Sequence, residues 1–154
     1  MSKNRFELIT EVYQETAGQS LIETALLGSL FVVLLLGVGE LGRVAYASIE
    51  VANAARAGAA YGMQNGATAS DSTGIATAAA NDAANLTGLT TTSSTSCVCS
   101  DGTSSTCAIG DCSASHIEEI VTVNTSVTFS PVIHLPGLPT SYTLHGKAVQ
   151  KCMQ

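Results

Sequence analysis

Residues 18–43 have the sequence Gly-Gln-Ser-Leu-Ile-Glu-Thr-Ala-Leu-Leu-Gly-Ser-Leu-Phe-Val-Val-Leu-Leu-Leu-Gly-Val-Gly-Glu-Leu-Gly-Arg, and this stretch decides the fold. From Thr24 to Gly39 no residue is charged, which corresponds to about 24 Å of α-helix. Because a hydrocarbon core is about 30 Å thick, a full membrane span must start near Gln19 and include Glu23. A carboxylate at that depth is costly and is usually functional, with a partner. The stretch predicts a transmembrane helix over residues 19–41.

The helix is predicted to continue beyond the span, over residues 42–64. This part is rich in alanine, which is a strong helix former. Gly58, Gly62 and Gly66 stand four residues apart, and small residues at this spacing let a helix backbone approach a neighbour closely. The neighbour is another helix or the globular part of the same chain, or each of these at different positions.

Residues 65–154 are predicted to form a small α+β domain. Asn65–Thr73 is predicted to be a turn, because Asn-Gly interrupts regular structure. Gly74–Leu86 is predicted to be a short second helix, with Asp71 or Ser72 as its N-cap and Gly88 at its C-terminal end.

Two segments in the C-terminal part predict an antiparallel strand pair. Ile117–Phe129 alternates between apolar and polar residues, which is typical of a half-buried strand. Its apolar face, predicted to contact the extended helix, comprises Val121, Val123, Val127 and Phe129. Pro131–Pro139 is predicted to connect it to a strand over Tyr142–Cys152. A third strand is predicted near Thr91–Val98, in an otherwise irregular loop over Thr90–Ser115.

Cysteine positions predict disulfides and an oxidising compartment. Four of the five cysteines lie in the loop 97–112, which is poor in large apolar residues: Cys97, Cys99, Cys107 and Cys112. Cys97 and Cys99 cannot easily bridge to each other. Two connectivities remain if the four pair among themselves, 97–107 with 99–112 or 97–112 with 99–107. Cys152 would then be free, or would displace one of the four.

Composition excludes several classes of function. The net charge is −6 and the six Lys and Arg residues are scattered, which argues against nucleic-acid binding because that requires clustered cations. Zinc-type Cys-x-x-Cys pairs are absent. The sequence has no nucleotide-binding loop and no arrangement typical of a catalytic nucleophile. It therefore predicts a protein that is not an enzyme, with no metal, no cofactor and no small-molecule substrate.

The stretch from Gly18 to about Met63 resembles the TadE-like family of minor pilins, or pseudopilins, of tight-adherence (type IVc, Flp) pilus systems. The resemblance rests on three runs of sequence, Gly18-Gln19-Ser20-Leu21-Ile22-Glu23 with Ala25-Leu26, Gly37-Val38-Gly39-Glu40-Leu41-Gly42-Arg43, and Asn53-Ala54-Ala55-Arg56-Ala57-Gly58-Ala59. It implies a type IV pilin-like fold, in which a long N-terminal helix lies on a small sheet.

The resemblance also implies processing and assembly. A prepilin peptidase would cut between Gly18 and Gln19, which leaves Glu23 fifth in the mature chain. Residues 1–18 would be a leader peptide, predicted to be loosely structured. Glu23 would pair with the freed amine of a neighbouring subunit, because opposite charges in a low dielectric attract strongly.

Further implications concern location and partners. Glu40 and Arg43 are three residues apart and can pair on one helix face. They are predicted to mark the outer membrane boundary, with a contact to another pilus subunit as the alternative. The predicted partners are other pilin subunits, the pilus assembly machinery, the peptidase and the membrane. The predicted location is the bacterial inner membrane, with a single span and the C-terminal domain outside the cytoplasm, or a surface pilus.

An alternative function is a secreted or membrane-anchored disulfide-containing binding protein with an ordinary signal peptide. Ala45-Tyr46-Ala47 resembles the A-x-A site of a signal peptidase after an apolar stretch. The long acidic segment before the stretch, and the charges at Glu40 and Arg43, fit this alternative less well. A small redox protein is a weaker alternative, because the chain lacks a Cys-x-x-Cys motif.

Overall fold

A computed structural model describes residues 3–133 and 139–152, with side chains from Gly18 onward. Its contacts divide the chain into two units, Met1–Gly42 and Arg43–Gln154. The elements, in chain order, are α1 (Lys3–Gly62), α2 (Gly66–Ser70), α3 (Ser72–Asp82), β1 (Thr90–Cys99), β2 (Ser104–Ser105), β3 (Ile117–Phe129) and β4 (Tyr142–Lys151). This is the predicted α+β class, with four strands where the sequence predicted two or three.

The first unit is the N-terminal part of α1. The helix begins at Lys3, so the prediction of a loosely structured leader is wrong for its backbone. From Gly18 to Leu41 every side chain except that of Glu40 is exposed, and the large apolar ones keep at least half of their surface uncovered. By length and composition this is the one helix among the described residues that could cross a membrane. Such an apolar surface is stable in lipid or against other apolar helices.

The second unit contains the rest of α1, whose packed side consists mainly of small residues. These buried residues follow one another at helical spacing: Ala47, Val51, Ala54, Ala55, Gly58, Ala59 and Gly62. A methyl group added at Gly58 would lie 3.1 Å from the backbone oxygen of Ile75 and 3.3 Å from Cγ1 of Val123. Gly58 and Gly62 therefore serve close packing of α1 on its own domain, one of the two alternatives for these glycines.

The sheet is antiparallel with strand order β2-β1-β3-β4. The strands predicted near Thr91–Val98, at Ile117–Phe129 and at Tyr142–Cys152 are confirmed as β1, β3 and β4. In β3, Val121, Val123 and Val127 are buried as predicted, whereas Phe129 is only half-buried. Strand β2, which pairs with the end of β1, lies in a loop that the sequence did not resolve into a strand.

The core lies between α1, α3 and the inner face of the sheet. One buried cluster joins the helices to the strands and contains Ala55, Ala59, Ala69, Ile75, Val121, Val123 and Ala148. A second cluster holds α3 against α1 and contains Ala54, Ala79 and Ala83. Because most of these side chains are small, packing depends on close backbone approach rather than on large apolar contacts.

Gly146 of β4 shows how close this approach is. A methyl group there would overlap the carbonyl oxygen of Val51 and would lie 2.6 Å from Oγ1 of Thr125. Thr125 is buried in β3, and its hydroxyl donates a hydrogen bond of 2.7 Å to the same Val51 oxygen. Helix and sheet are thus joined by a buried hydrogen bond in addition to apolar contact.

Two expectations about the short helices need correction. The segment predicted as a turn over Asn65–Thr73 contains α2, because the side-chain oxygen of Asn65 accepts hydrogen bonds from the backbone amides of Ala67 and Thr68. Helix α3 is confirmed with Asp71 as its N-cap, but it ends at Asp82 rather than Leu86. Gly88, with φ of 77°, lies in the following turn and not at the helix end. Of the predicted connection Pro131–Pro139, residues 134–138 lie outside the described residues.

Candidate functional site

The proposed processing site lies on an exposed part of α1. Beyond the adjacent residues and the backbone of its own helix, no described atom lies within 4 Å of the position that a Cβ at Gly18 would take. Gln19 donates a side-chain hydrogen bond of 3.3 Å to the Glu23 carboxylate. The residue that would become the new N-terminus and the proposed assembly residue therefore lie one turn apart on the same face.

The two charged residues predicted at the membrane boundary have different surroundings. Glu40 is half-buried, whereas Arg43 is exposed and its guanidinium lies 5.2 Å from the ring centroid of Phe129 in β3. That distance suits a cation–π contact, which is worth about 0.5–1 kcal/mol at an exposed position. Arg43 therefore contacts the C-terminal end of β3 from the first residue of the second unit. Their role as boundary markers stays a prediction.

The cysteine-rich loop is closed by two disulfides, Cys97–Cys107 and Cys99–Cys112. This is one of the two connectivities left open by the sequence. Cys152 is the free thiol and packs beside the first core cluster. Burial raises its pKa, and the negative charge of Glu119 raises it further. A raised pKa disfavours the reactive thiolate, so this half-buried thiol should react more slowly in the folded domain than an ordinary exposed cysteine.

Asp111 accepts several hydrogen bonds within the loop that the two disulfides close. Its Oδ2 accepts hydrogen bonds from the backbone amide and hydroxyl of Thr106, and from the hydroxyl of Ser105. These bonds, the Thr106 amide first, hold the pKa of Asp111 below its ordinary value. The side chain of Ile109 at the loop tip is fully exposed. Disulfides and an aspartate take the place of an apolar core here.

We expect non-reducing peptide mapping of the folded protein to recover the pairs Cys97–Cys107 and Cys99–Cys112. A thiol reagent should label Cys152 more slowly in the native protein than after unfolding. In the chain-entropy model each disulfide that closes a short loop adds about 2–3 kcal/mol to the free energy of unfolding. Reduction of the two disulfides should therefore lower the melting temperature clearly. Recovery of Cys97–Cys112 with Cys99–Cys107, or rapid labelling of the native protein, would contradict this arrangement.

A polar cluster that sequence analysis missed lies on the second unit. Asn85, in the turn after α3, donates its side-chain amide to Glu50 at 3.0 Å and to the hydroxyl of Tyr46 at 3.3 Å. A side-chain hydrogen bond with the Glu50 carboxylate is the largest cause that raises the pKa of the Tyr46 phenol, while the hydrogen bond with Asn85 lowers it. The cluster lines a cavity of about 410 Å³ that Arg43 and Phe129 also line.

Glu50 is the unusual member of this cluster. Its Oε1 is bonded to Asn85, but its Oε2 is buried and has no hydrogen-bond partner among the described side chains and backbone. Buried carboxylate oxygens are normally hydrogen-bonded, because desolvation without a donor is costly. In the sequence, Glu50 is the one acidic residue between Glu40 and Asp71. That isolation is the only signal that could have directed attention to it.

Among its described residues the chain has no group of three or more His, Cys, Asp or Glu side chains placed to hold a metal ion. The sites that the structure does present are an exposed apolar helix surface, a disulfide-closed loop and a half-open polar cavity.

The fold and these sites define a class of protein in which one apolar helix, able to anchor in a membrane, continues as the core helix of a small α+β domain. A comparison with protein-family models finds that the TadE-like protein family matches residues 18–60. This segment is TadE-like, as the sequence resemblance indicated. The family is a pilus structural family that is not known as enzymatic. Comparisons with curated proteins and with solved structures give no match.

Proposed function

We propose that this protein is a minor pilin, or pseudopilin, a structural subunit used to assemble a tight-adherence-type pilus. The observation that carries the proposal is the extent of the family match. It begins at Gly18, three residues before the apolar run that starts at Leu21, and runs to residue 60, near the end of α1. The family-like part is thus the exposed apolar helix together with its continuation into the domain core.

The proposed life cycle follows from this arrangement. The precursor inserts in the bacterial inner membrane through residues 19–41, with the disulfide-containing domain outside the cytoplasm. A prepilin peptidase removes residues 1–18, and the assembly machinery then packs the mature helix against those of other pilin subunits. The exposed apolar side chains support this step, because they can exchange lipid for neighbouring helices without a change in fold.

The alternative with a signal peptidase would cut after Ala47. That residue is 4% exposed and lies within α1. A cut there would detach Arg43 and Tyr46 from their contacts with Phe129 and Asn85. The packing of this helix segment supports cleavage at Gly18 instead. The two proposals differ in the first residue of the mature chain, Gln19 or Ser48, and an uncut Met1 would refute both.

Glu23→Ala is expected to insert and to be processed, but to enter pili poorly. The substitution makes the span more apolar while removing the charge that would pair with the amine of a neighbouring subunit. The measurement is the amount of the variant in sheared pili, relative to its amount in membranes. Thr24→Ala is the matched control, because it removes a hydroxyl bonded within the same turn and no charge. Equal incorporation of both variants would remove Glu23 from the assembly mechanism.

A further inference from the structure

The cavity of about 410 Å³ described above belongs to the second unit and is lined by that unit's first residue, Arg43. Arg43 comes two residues after Leu41, where the predicted membrane span ends. Two residues of chain reach at most about 7 Å, and the headgroup layer on each side of a bilayer is about 5–8 Å thick. With the span of the proposed function, on which this inference rests, Arg43 therefore lies among lipid headgroups.

The wall of the cavity that contains Arg43 suits a phosphate group. The guanidinium lies 5.2 Å from the ring centroid of Phe129, and this contact helps to hold it in place. A guanidinium has five N–H donors, so it can bind phosphate oxygens together with acceptors of its own chain. Hydroxyl groups that can donate to the same oxygens also line the cavity, on Tyr46, Thr87, Thr128 and Ser130.

The adjoining turn of α1 suits an ammonium group. The side chain of Tyr46 is 56% exposed where it lines the cavity, and the face of an aromatic ring attracts cations. Glu50 adds a negative charge to the same wall, and its field acts on a ligand without direct contact. This field disfavours a headgroup with a net negative charge. A zwitterionic headgroup carries both of the charges that the two walls attract.

We propose that the cavity binds the headgroup of a zwitterionic phospholipid, with its phosphate at Arg43 and its ammonium at the ring of Tyr46. A volume of about 410 Å³ lies in the range of about 300–1,000 Å³ that is usual for small-ligand pockets. The lipid holds the outer domain at the membrane surface before the subunit is assembled.

The test is native mass spectrometry of the full chain, purified in lipid-free detergent and mixed with phosphatidylethanolamine or with phosphatidylglycerol. The parent should retain one phosphatidylethanolamine per chain, and phosphatidylglycerol more weakly. Arg43→Gln should reduce retention by about tenfold or more, because a charge-assisted hydrogen bond is lost. Arg56→Gln is the matched control and should retain the lipid, since Arg56 donates to Asn53 and does not line the cavity.

Two substitutions of Tyr46 test the ring separately from the hydroxyl. Both Tyr46→Phe and Tyr46→Leu remove the hydrogen bond with Asn85, but only Tyr46→Phe keeps an aromatic face. Tyr46→Phe should retain the lipid and Tyr46→Leu should lose it, at melting temperatures that match. Equal retention by these two variants, or parent-like retention by Arg43→Gln, would overturn the site.

The remaining outcomes concern the identity of the ligand and the proposed function. Retention of phosphatidylglycerol as strong as that of phosphatidylethanolamine overturns the zwitterionic preference, and displacement of the lipid by inorganic phosphate overturns a lipid site. A protein that is cut at Gly18 and enters pili but retains no lipid overturns this site alone. A full chain that is recovered from cells without detergent overturns the membrane span, and with it both the proposed function and the lipid site.

Discussion

Val123→Asp is expected to unfold the domain that contains the sheet, whereas Thr122→Asp is expected to leave it folded. Val123 is fully buried in β3, and its Cγ1 lies against the helix at Gly58. An aspartate there would place a carboxylate without a donor among alanines and valines, which costs about 4 kcal/mol or more. Small domains are stable by only about 5–15 kcal/mol, so that cost removes a large part of the stability, and nearly all of it at the lower end of this range.

Thr122 is a matched control because it is one residue away on the opposite, outer face of the same strand. Near-ultraviolet circular dichroism and limited proteolysis of the detergent-solubilised protein would report on the domain and not on the membrane helix. Equal melting temperatures for the two variants would mean that the strand register is wrong. The packing of α1 on β3 would then be wrong as well.

The sequence predicted the elements that have a strong periodic signal. Alternation over Ile117–Phe129 identified β3, because a strand with one buried face must alternate. The apolar run after Gly18 identified the membrane-length part of α1, because an uncharged run of that length is typical of a membrane-spanning helix. The predicted face of β3 omitted Thr125, which is buried, because a threonine looks polar in the pattern. Its hydroxyl is satisfied by Val51, a partner 74 residues away, which local sequence does not reveal.

The missed elements are short and depend on side-chain hydrogen bonds. The capping box at Asn65 converts a predicted turn into α2, and Asn-Gly is ambiguous between these two outcomes. Strand β2 has two residues, and it pairs with β1 in the loop that the disulfides close. No periodic pattern can identify an element of that length, since its position depends on the cross-links and on the turn before it.

The candidate sites also differ in whether their signal is local in the sequence or arises only in the fold. Gly18, Glu23 and the cysteines were found because their chemistry is local in sequence, as a spacing or a cluster. The cavity around Glu50 was missed because Asn85 lies 35 residues from it and joins it only in the fold. A lone acid in an alanine-rich helix indicates a position of interest, but the three-dimensional structure is needed to show that one of its oxygens lacks a donor.

Gly18→Phe is expected to abolish processing, leaving full-length protein in the membrane and none in pili. The fold gives no reason for this effect, since beyond the adjacent residues and the backbone of its own helix no described atom lies within 4 Å of a Cβ at position 18. Gly28→Phe is the matched control, because Gly28 lies ten residues further along the same exposed helix and is equally open. It adds the same side chain without changing the proposed cleavage site. The measurement is the N-terminal residue of each variant by mass spectrometry, with Gln19 expected for the parent and for Gly28→Phe. If Gly18→Phe also began at Gln19, the peptidase would not depend on this glycine. If all three began at Ser48, cleavage would lie within α1, and the proposed pilin processing would be wrong.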